Sequence, residues 1–291
     1  MKNIQILVGP PGSGKSTYAA KLVSQEGYVY VNQDLHGKEG HIDTFNQAIL
    51  GGKDIVIDRM NFDKKQRERY LEPAKIHGYT TEIIVFHESF KTCLMRCVAR
   101  TNHPTIKDQD TAMKALHMFF SKYERIEDNE ADKVVRLWPE GSKPLAIAVD
   151  LDGTLCDIEH RLHFVTQDKP DWKSFFEGIK DDKVNNWCYD LVKAYSEYTG
   201  NSVVLCSGRP NDYRQLTQDW LSKVTPNLYY DNLFMREQGD YRSDAIIKQI
   251  ILDFEIRTRY NLDFVVDDRP VVCRMWRNNN IICLQCNDKE F

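Results

Sequence analysis

The chain has 291 residues, enough for about two domains that each bury a core. Hydrophobic residues make up 42% and charged residues 28%, which excludes a disordered chain and a membrane bundle. A net charge of −4 with a pI near 6.1 excludes a broad basic surface for coating duplex DNA, while leaving room for a small basic pocket.

The first apolar run, 4–8, stops at Gly9, too short for a signal-peptide core or a membrane span, so a cytoplasmic protein with no membrane partner is expected. Short apolar runs then alternate with helix-length amphipathic segments, the pattern of α/β units around parallel sheets. In the first half, strands are expected at 5–8, 28–32, 54–58 and 81–86. Helices are expected near 15–25, 43–50, 64–77 and 89–101, with Pro73 kinking or splitting the third. The polar stretch 125–143, with Pro139 and Gly141, reads as a domain boundary; it divides a domain of 1–130 from one of 144–291, with 131–143 as linker. Beyond it, strands are expected at 145–149, 202–206, 232–235, 262–266 and 281–285, with helices between them. The eight cysteines lie in apolar stretches without paired metal-ligand spacing, and in a reducing compartment they are free thiols. Cys283 and Cys286 come nearest to a zinc knuckle, but they lack a second pair and fall in an expected strand, so packing is the better reading.

Gly9 to Ser16 reads GPPGSGKS, the G-x-x-x-x-G-K-[ST] pattern, placed between a buried strand and a helix start. Gly9, Gly12 and Gly14 let backbone N–H groups curl around phosphate oxygens. Lys15 reaches the β and γ phosphates, and the Ser16 hydroxyl can ligate Mg²⁺. Ser13 and Thr17 complete the cradle for ATP. Asp34 and Asp58 follow at strand ends, on the side where open parallel sheets bind ligands. Asp34 is placed to accept a proton from an attacking hydroxyl; the plainer alternative is a helix cap. Arg96 and Arg100 are four apart on one helix face, before a His103-Pro104 break suited to a lid, and either guanidinium can stabilise a transferring phosphoryl group; two solvated helix arginines are the alternative.

The second site begins at Asp150-Leu-Asp152-Gly-Thr, just past an apolar strand. Asp150 can attack phosphorus, and Asp152 can protonate the leaving alcohol and then activate water. Ser207-Gly208-Arg209, Lys248 and Asp267-Asp268 follow in order, each at a strand end or on an adjoining helix. Ser207 binds a phosphate oxygen and Lys248 neutralises charge. Asp150 and Asp152 with Asp267 and Asp268 supply hard oxygens for Mg²⁺.

With these elements in order the second half resembles the haloacid-dehalogenase phosphatases, and Arg161 after DLDGT, CSGR at 206–209, REQGDYRSD at 236–244, and VVDDR with MWR at 275–277 extend the resemblance to a narrower family. The whole chain is similar to the bifunctional polynucleotide 5′-kinase/3′-phosphatases of the T-even phage type. The resemblance implies an α/β fold of two domains, a P-loop kinase and a Rossmann-like phosphatase. It implies Lys15 and Ser16 on ATP, Asp34 as general base, Arg100 as the lid arginine with Arg96 beside it, and Arg161, Arg209 and Asp244 as phosphatase residues. It also implies RNA or DNA ends as substrates, functional coupling to a ligase, and a homo-oligomer. The chain departs from the pattern after Asp34, where Leu35-His36-Gly37 has no arginine for the acceptor phosphate, and at Asp58-Arg59-Met60-Asn61. Arg59 and Asn61, past the neighbouring strand end, are then the expected acceptor-binding residues. The expected function is end healing: phosphorylation of a 5′-hydroxyl from ATP, and removal of a 3′-phosphate or 2′,3′-cyclic phosphate. A small-molecule kinase fused to a metabolite phosphatase, or a silent end-binding scaffold, are the rivals.

Overall fold

The structure, a computed structural model, describes residues 2–100, 105–106 and 108–287. It divides into two compact units, Met1–Glu140 and Gly141–Phe291. Thr101, His103 and Pro104, which carry the end of the fourth expected helix and the break after it, lie outside the described residues.

The first unit is a parallel five-stranded sheet in the order β2-β3-β1-β4-β5. Its strands are β1 (Asn3–Val8), β2 (Val29–Asn32), β3 (Ile55–Asp58), β4 (Thr80–Phe86) and β5 (Lys133–Leu137). The helices are α1 (Lys15–Glu26), α2 (Gln33–Leu50), α3 (Lys64–Ile76), α4 (Phe90–Val98) and α5 (Gln109–Lys122). On one face Leu7, Val56 and Ile84 pack against Ala19 and Leu22 of α1. Burial on both faces is why these strands read as apolar runs and not as alternating ones.

Three expectations need correction. Pro73 lies inside α3 without splitting it, and α2 starts ten residues earlier than expected, bending at Gly37 with φ of 73°. More consequentially, 131–143 is not a linker. β5 pairs with β4, and the boundary falls after Glu140. The polar residues that looked like linker are spent inside the fold. Arg67 of α3, fully buried, donates Nε to Glu130 Oε1 at 2.5 Å and Nη2 to Oε2 at 3.2 Å, and the Asp132 carboxylate accepts from the Thr81 N–H and hydroxyl at 2.8 Å each. Removing one partner of a buried ion pair strands the other. Glu130→Ala should therefore lower stability by about 3 to 5 kcal/mol, whereas Glu68→Ala, which breaks the exposed Lys64–Glu68 pair, should change it by less than about 1 kcal/mol, both read from urea unfolding of the full chain.

The second unit is a parallel sheet in the order β10-β9-β6-β11-β12. It contains β6 (Leu145–Val149), β9 (Ser202–Pro210), β10 (Asn232–Arg236), β11 (Asn261–Asp267) and β12 (Ile282–Gln285). The period of two decides its two faces. Ile147 and Val149 pack with Val192 of α8 (Asn186–Thr199) and Trp220 of α9 (Arg214–Val224). Ala146 and Ala148 point the other way and leave room for Trp276 of α11 (Pro270–Asn278), beside Ile247 of α10 (Asp244–Ile250). Between β6 and α8 the chain makes an excursion that the strand pattern did not announce. It consists of a short antiparallel pair, β7 (Cys156–Asp157) with β8 (Lys183–Val184), enclosing α6 (Glu159–Leu162) and α7 (Trp172–Glu177).

Candidate active sites

In the first unit the loop between β1 and α1 closes tightly on α4: a Cβ on Gly12, at φ +87°, would stand 2.6 Å from the Cys93 carbonyl oxygen, so no other residue fits there. Lys15 is buried and donates Nζ to the carbonyls of Gly9 and Pro10 at 2.8 Å each, bonds that a phosphate can replace. Burial lowers its pKa and Asp58 partly offsets this. The Ser13 hydroxyl is buried without a hydrogen-bond partner, as expected of a group aimed into an anion cradle. Gly12, Gly14 and Thr17 line one cleft together with Arg96 and Arg100. Arg96 pairs with Glu88 at 2.9 Å and donates to the Gly12 carbonyl at 3.3 Å.

The Tyr30 hydroxyl donates to Asp58 Oδ2 at 2.6 Å, Asn32 Nδ2 donates to the same oxygen at 3.1 Å, and Asp58 acts on Lys15. Asp58 thus joins the cradle, a role the sequence reading stopped short of assigning although its strand-end position pointed there. Asp34 is exposed in the first turn of α2, capped by Asn32, and its Oδ1 accepts from Thr105 at 3.1 Å. Arg59 donates to the Tyr70 hydroxyl at 3.1 Å. Asn61, expected to bind acceptor, is instead fully buried in a left-handed turn and donates Nδ2 to the Leu7 carbonyl at 2.9 Å. It fastens the end of β3 to β1, while its Oδ1 is buried without a hydrogen-bond partner.

In the second unit, Asp150 emerges from β6, where the chain's path across the sheet reverses. Lys248 of α10 donates Nζ to Asp150 Oδ1 at 2.6 Å and to Asp267 Oδ2 at 2.8 Å, and Trp276 Nε1 holds Asp267 Oδ2 at 3.1 Å. Asp150, Asp267 and Asp268 bring a carboxylate oxygen each within 4.8 Å of one another. Asp268 Oδ2 is buried with no partner, and a Cβ on Gly153 would come within 2.1 Å of it. Three carboxylates against one ammonium leave a formal charge of minus two. Burial pushes Asp150 well up, and burial with Asp267 raises Asp268 to about 6. An excess of hard anionic oxygens, one of them unpartnered, is the donor set of a divalent cation such as Mg²⁺, and Asp268 is the member with a free oxygen to offer.

Asp152, counted among the metal ligands in the sequence reading, turns elsewhere. Its carboxylate accepts from Arg161 Nη2 at 2.5 Å and from Arg209 Nε at 3.0 Å and Nη2 at 2.5 Å. Burial works against its charge, but Arg209 and Arg161 outweigh that and hold it well below the usual carboxylate range. Both arginines are fully buried and also grip Asp182, with Arg161 Nε at 2.6 Å and Arg209 Nη2 at 2.7 Å. Asp182 carried no motif signal; it reaches the network only because the β7–β8 excursion folds back. Ser207 is buried at the end of β9, and its Oγ accepts from the Arg209 N–H at 3.2 Å. Asp244 lies against Gly208 and takes hydrogen bonds from Arg236 and Arg269, two residues inside recognised motifs whose part was not read from the sequence.

A parallel sheet whose reversal-point strand ends in DxDGT, backed by a lysine and an acidic pair, defines a phosphatase domain of the haloacid-dehalogenase class. The family of the polynucleotide kinase PNKP phosphatase domain matches residues 144–291, and the chain belongs to it. Residues 4–39 match the AAA domain family. A protein of Autographa californica nuclear polyhedrosis virus, provisionally named a bifunctional polynucleotide kinase/RNA ligase, is 28% identical over 96% of this chain and 42% of its own length. The bifunctional polynucleotide phosphatase/kinase of Schizosaccharomyces pombe is 33% identical over 30% of this chain and 24% of its own. The chain spans under half the length of the curated relatives it matches. A solved Pnkp1/Rnl/Hen1 complex is 24% identical at a TM-score of 0.42, over 100% of this chain and 98% of that one.

Proposed function

We propose that this chain heals nucleic-acid ends: it phosphorylates 5′-hydroxyl ends from ATP and removes 3′-phosphate or 2′,3′-cyclic phosphate ends. The observation that carries the reading is the buried Asp150–Lys248–Asp267 chain, with Asp268 beside it, inside a domain of the polynucleotide kinase phosphatase family. That family favours polynucleotide ends over a small metabolite.

In the second unit the Asp150 carboxylate attacks phosphorus and the P–O bond to the ribose breaks, leaving an aspartyl phosphate; Asp152, ionised while Arg161 and Arg209 hold it, takes up a proton as the incoming phosphate draws those arginines away, gives it to the leaving ribose oxygen, and later takes one from the water that releases phosphate from Asp150. Arg161 and Arg209, which now neutralise Asp152, share their charge with the incoming phosphate, and Ser207 donates to one of its oxygens. Asp150, Asp267 and Asp268 would hold Mg²⁺, which supplies charge neutralisation between phosphate and carboxylates. Asp244, against Gly208, positions the stretch of β9 that carries Ser207. In the first unit Lys15 trades its carbonyl partners for the β and γ phosphates, Ser16 and Asp58 would hold Mg²⁺ and so supply charge neutralisation for the ATP phosphates, Asp34 takes the proton of the 5′-hydroxyl, and Arg96 and Arg100 balance the charge on the transferred group. Label transfer from ATP to 5′-hydroxyl oligonucleotides, run beside phosphate release from 3′-phosphate ends, tests both halves; absence of either activity removes that half.

Arg59 remains our candidate for the acceptor phosphate. Its single hydrogen bond to Tyr70 leaves donors for a phosphate, and Asp58 and Asp63 are engaged by Tyr30 and by the Gln66 N–H. Arg59→Ala should lower acceptor kcat/KM by on the order of tenfold to a hundredfold with little change in the KM for ATP; an unchanged acceptor kcat/KM would return Arg59 to a structural role. Coupling to a ligase is supported by the name of the baculovirus relative. Among the described residues no helix is long and apolar enough to cross a membrane. A cytoplasmic location and a homo-oligomer are part of the proposal.

A further inference from the structure

The second unit carries a row of rings that takes no part in the chemistry above. Trp172 and Phe176, one turn apart on α7, have centroids 6.0 Å apart with planes at 25°, and Phe176 lies 4.9 Å from Tyr213 at 33°. Trp172 is 56% exposed, and Phe176 and Tyr213 are half-buried. The inward ring of the same helix behaves differently. Phe175 is buried and meets Trp172 and Phe176 edge-on, at 85° and 72°, as core aromatics do. The helix therefore carries an edge-packed ring in the core and, with Tyr213, a shallow-angled row whose inner rings Phe176 and Tyr213 rest against that core and whose outer ring, Trp172, reaches solvent.

The row is tied to the catalytic network at its middle ring and at its Tyr213 end. Phe175, adjacent to Phe176, lies 4.2 Å from the Arg161 guanidinium, and its carbonyl accepts from Arg161 Nη1 at 3.3 Å. Arg161 in turn holds Asp152. Tyr213 follows Arg209 by four residues, past the carboxyl end of β9, and Arg209 holds the same carboxylate. The row starts two side chains from the reacting groups and runs out to Trp172.

We propose that Trp172, Phe176 and Tyr213 form a stacking platform for the terminal bases of a single-stranded nucleic acid whose 3′-phosphate is presented to Asp150. The proposal rests on the phosphatase reading and adds how the polynucleotide is held. Every base offers a π face, so such a platform accepts any sequence, and only an unpaired strand can turn its bases onto it. In an acidic protein, stacking supplies affinity that a basic surface would otherwise provide.

The test uses a 5′-fluorescent oligothymidylate carrying a 3′-phosphate. Binding is read by anisotropy in the Asp150→Asn background, where the strand is not turned over. Adding Trp172→Ala should weaken Kd by on the order of tenfold, and Trp172→Phe should restore most of it. Trp187→Ala, which removes an exposed tryptophan of α8 outside the row, should have no effect. In otherwise wild-type protein, Trp172→Ala should raise KM for the same strand with little change in kcat. Unchanged Kd and KM in folded Trp172→Ala would overturn the platform. Tryptophan-dependent binding by a wild-type protein that releases no phosphate would support the platform and overturn the phosphatase reading.

Discussion

Asp150→Asn is expected to reduce phosphate release from 3′-phosphate ends by at least about 10⁴-fold while leaving label transfer from ATP to a 5′-hydroxyl intact. The amide keeps the shape of the carboxylate but cannot act as the attacking group. It also removes one of the two anions that share the Lys248 ammonium, so Asp267 alone must hold that lysine. Because the groups of the two chemistries are carried by separate sheets, the loss should be confined to one activity. Measuring both activities on the same preparation makes the comparison internal; loss of both in a folded variant would contradict two independent sites.

Lys15→Ala should do the reverse, lowering phosphoryl transfer by on the order of 10³-fold or more and sparing phosphate release. The lysine is the cation inside the loop, and its Nζ already spans the Gly9 and Pro10 carbonyls. Its removal would leave two carbonyl oxygens facing the phosphates with no cation between them. Lys15→Arg is a harsher test than its charge suggests, because a planar fork cannot be placed between those two carbonyls in a buried pocket. Single-turnover transfer at saturating ATP separates lost chemistry from lost nucleotide binding.

Much of both sites was legible because phosphate chemistry constrains sequence locally. The cradle at 9–16 and the DxDGT at 150–154 sit between a strand and the turn that follows it, where backbone geometry leaves little freedom. What escaped reading depends on contacts made at a distance. Asp182 meets Arg161 and Arg209 across sequence separations of 21 and 27 with no periodic signal between them. That Asn61, expected from its position to be a ligand, also ties β3 to β1 is visible only in the fold, which brings its amide to the Leu7 carbonyl. β5 was hidden because Glu130 and Asp132, which lead into it, are polar; their partners, Arg67 and Thr81, are far away in sequence. Asp152 carried a further surprise: composition does not reveal that two guanidiniums will converge on one carboxylate.

The two glycines of the second site have a bearing on how this sequence can drift over generations. A single methyl group at Gly153 would collide with Asp268, and one at Gly208 would stand 2.6 Å from Asp244. At each, a one-carbon change would press on the carboxylate tip of an aspartate contributed from far along the chain, so that the aspartate would have to turn from the position it holds here. The two places differ in the backbone: Gly153, at φ +84°, would strain any side chain whether or not the carboxylate at 268 made way, whereas Gly208 carries no such strain. An alanine at 208 therefore disturbs only where Asp244 rests, while an alanine at 153 disturbs both Asp268 and the turn beneath it.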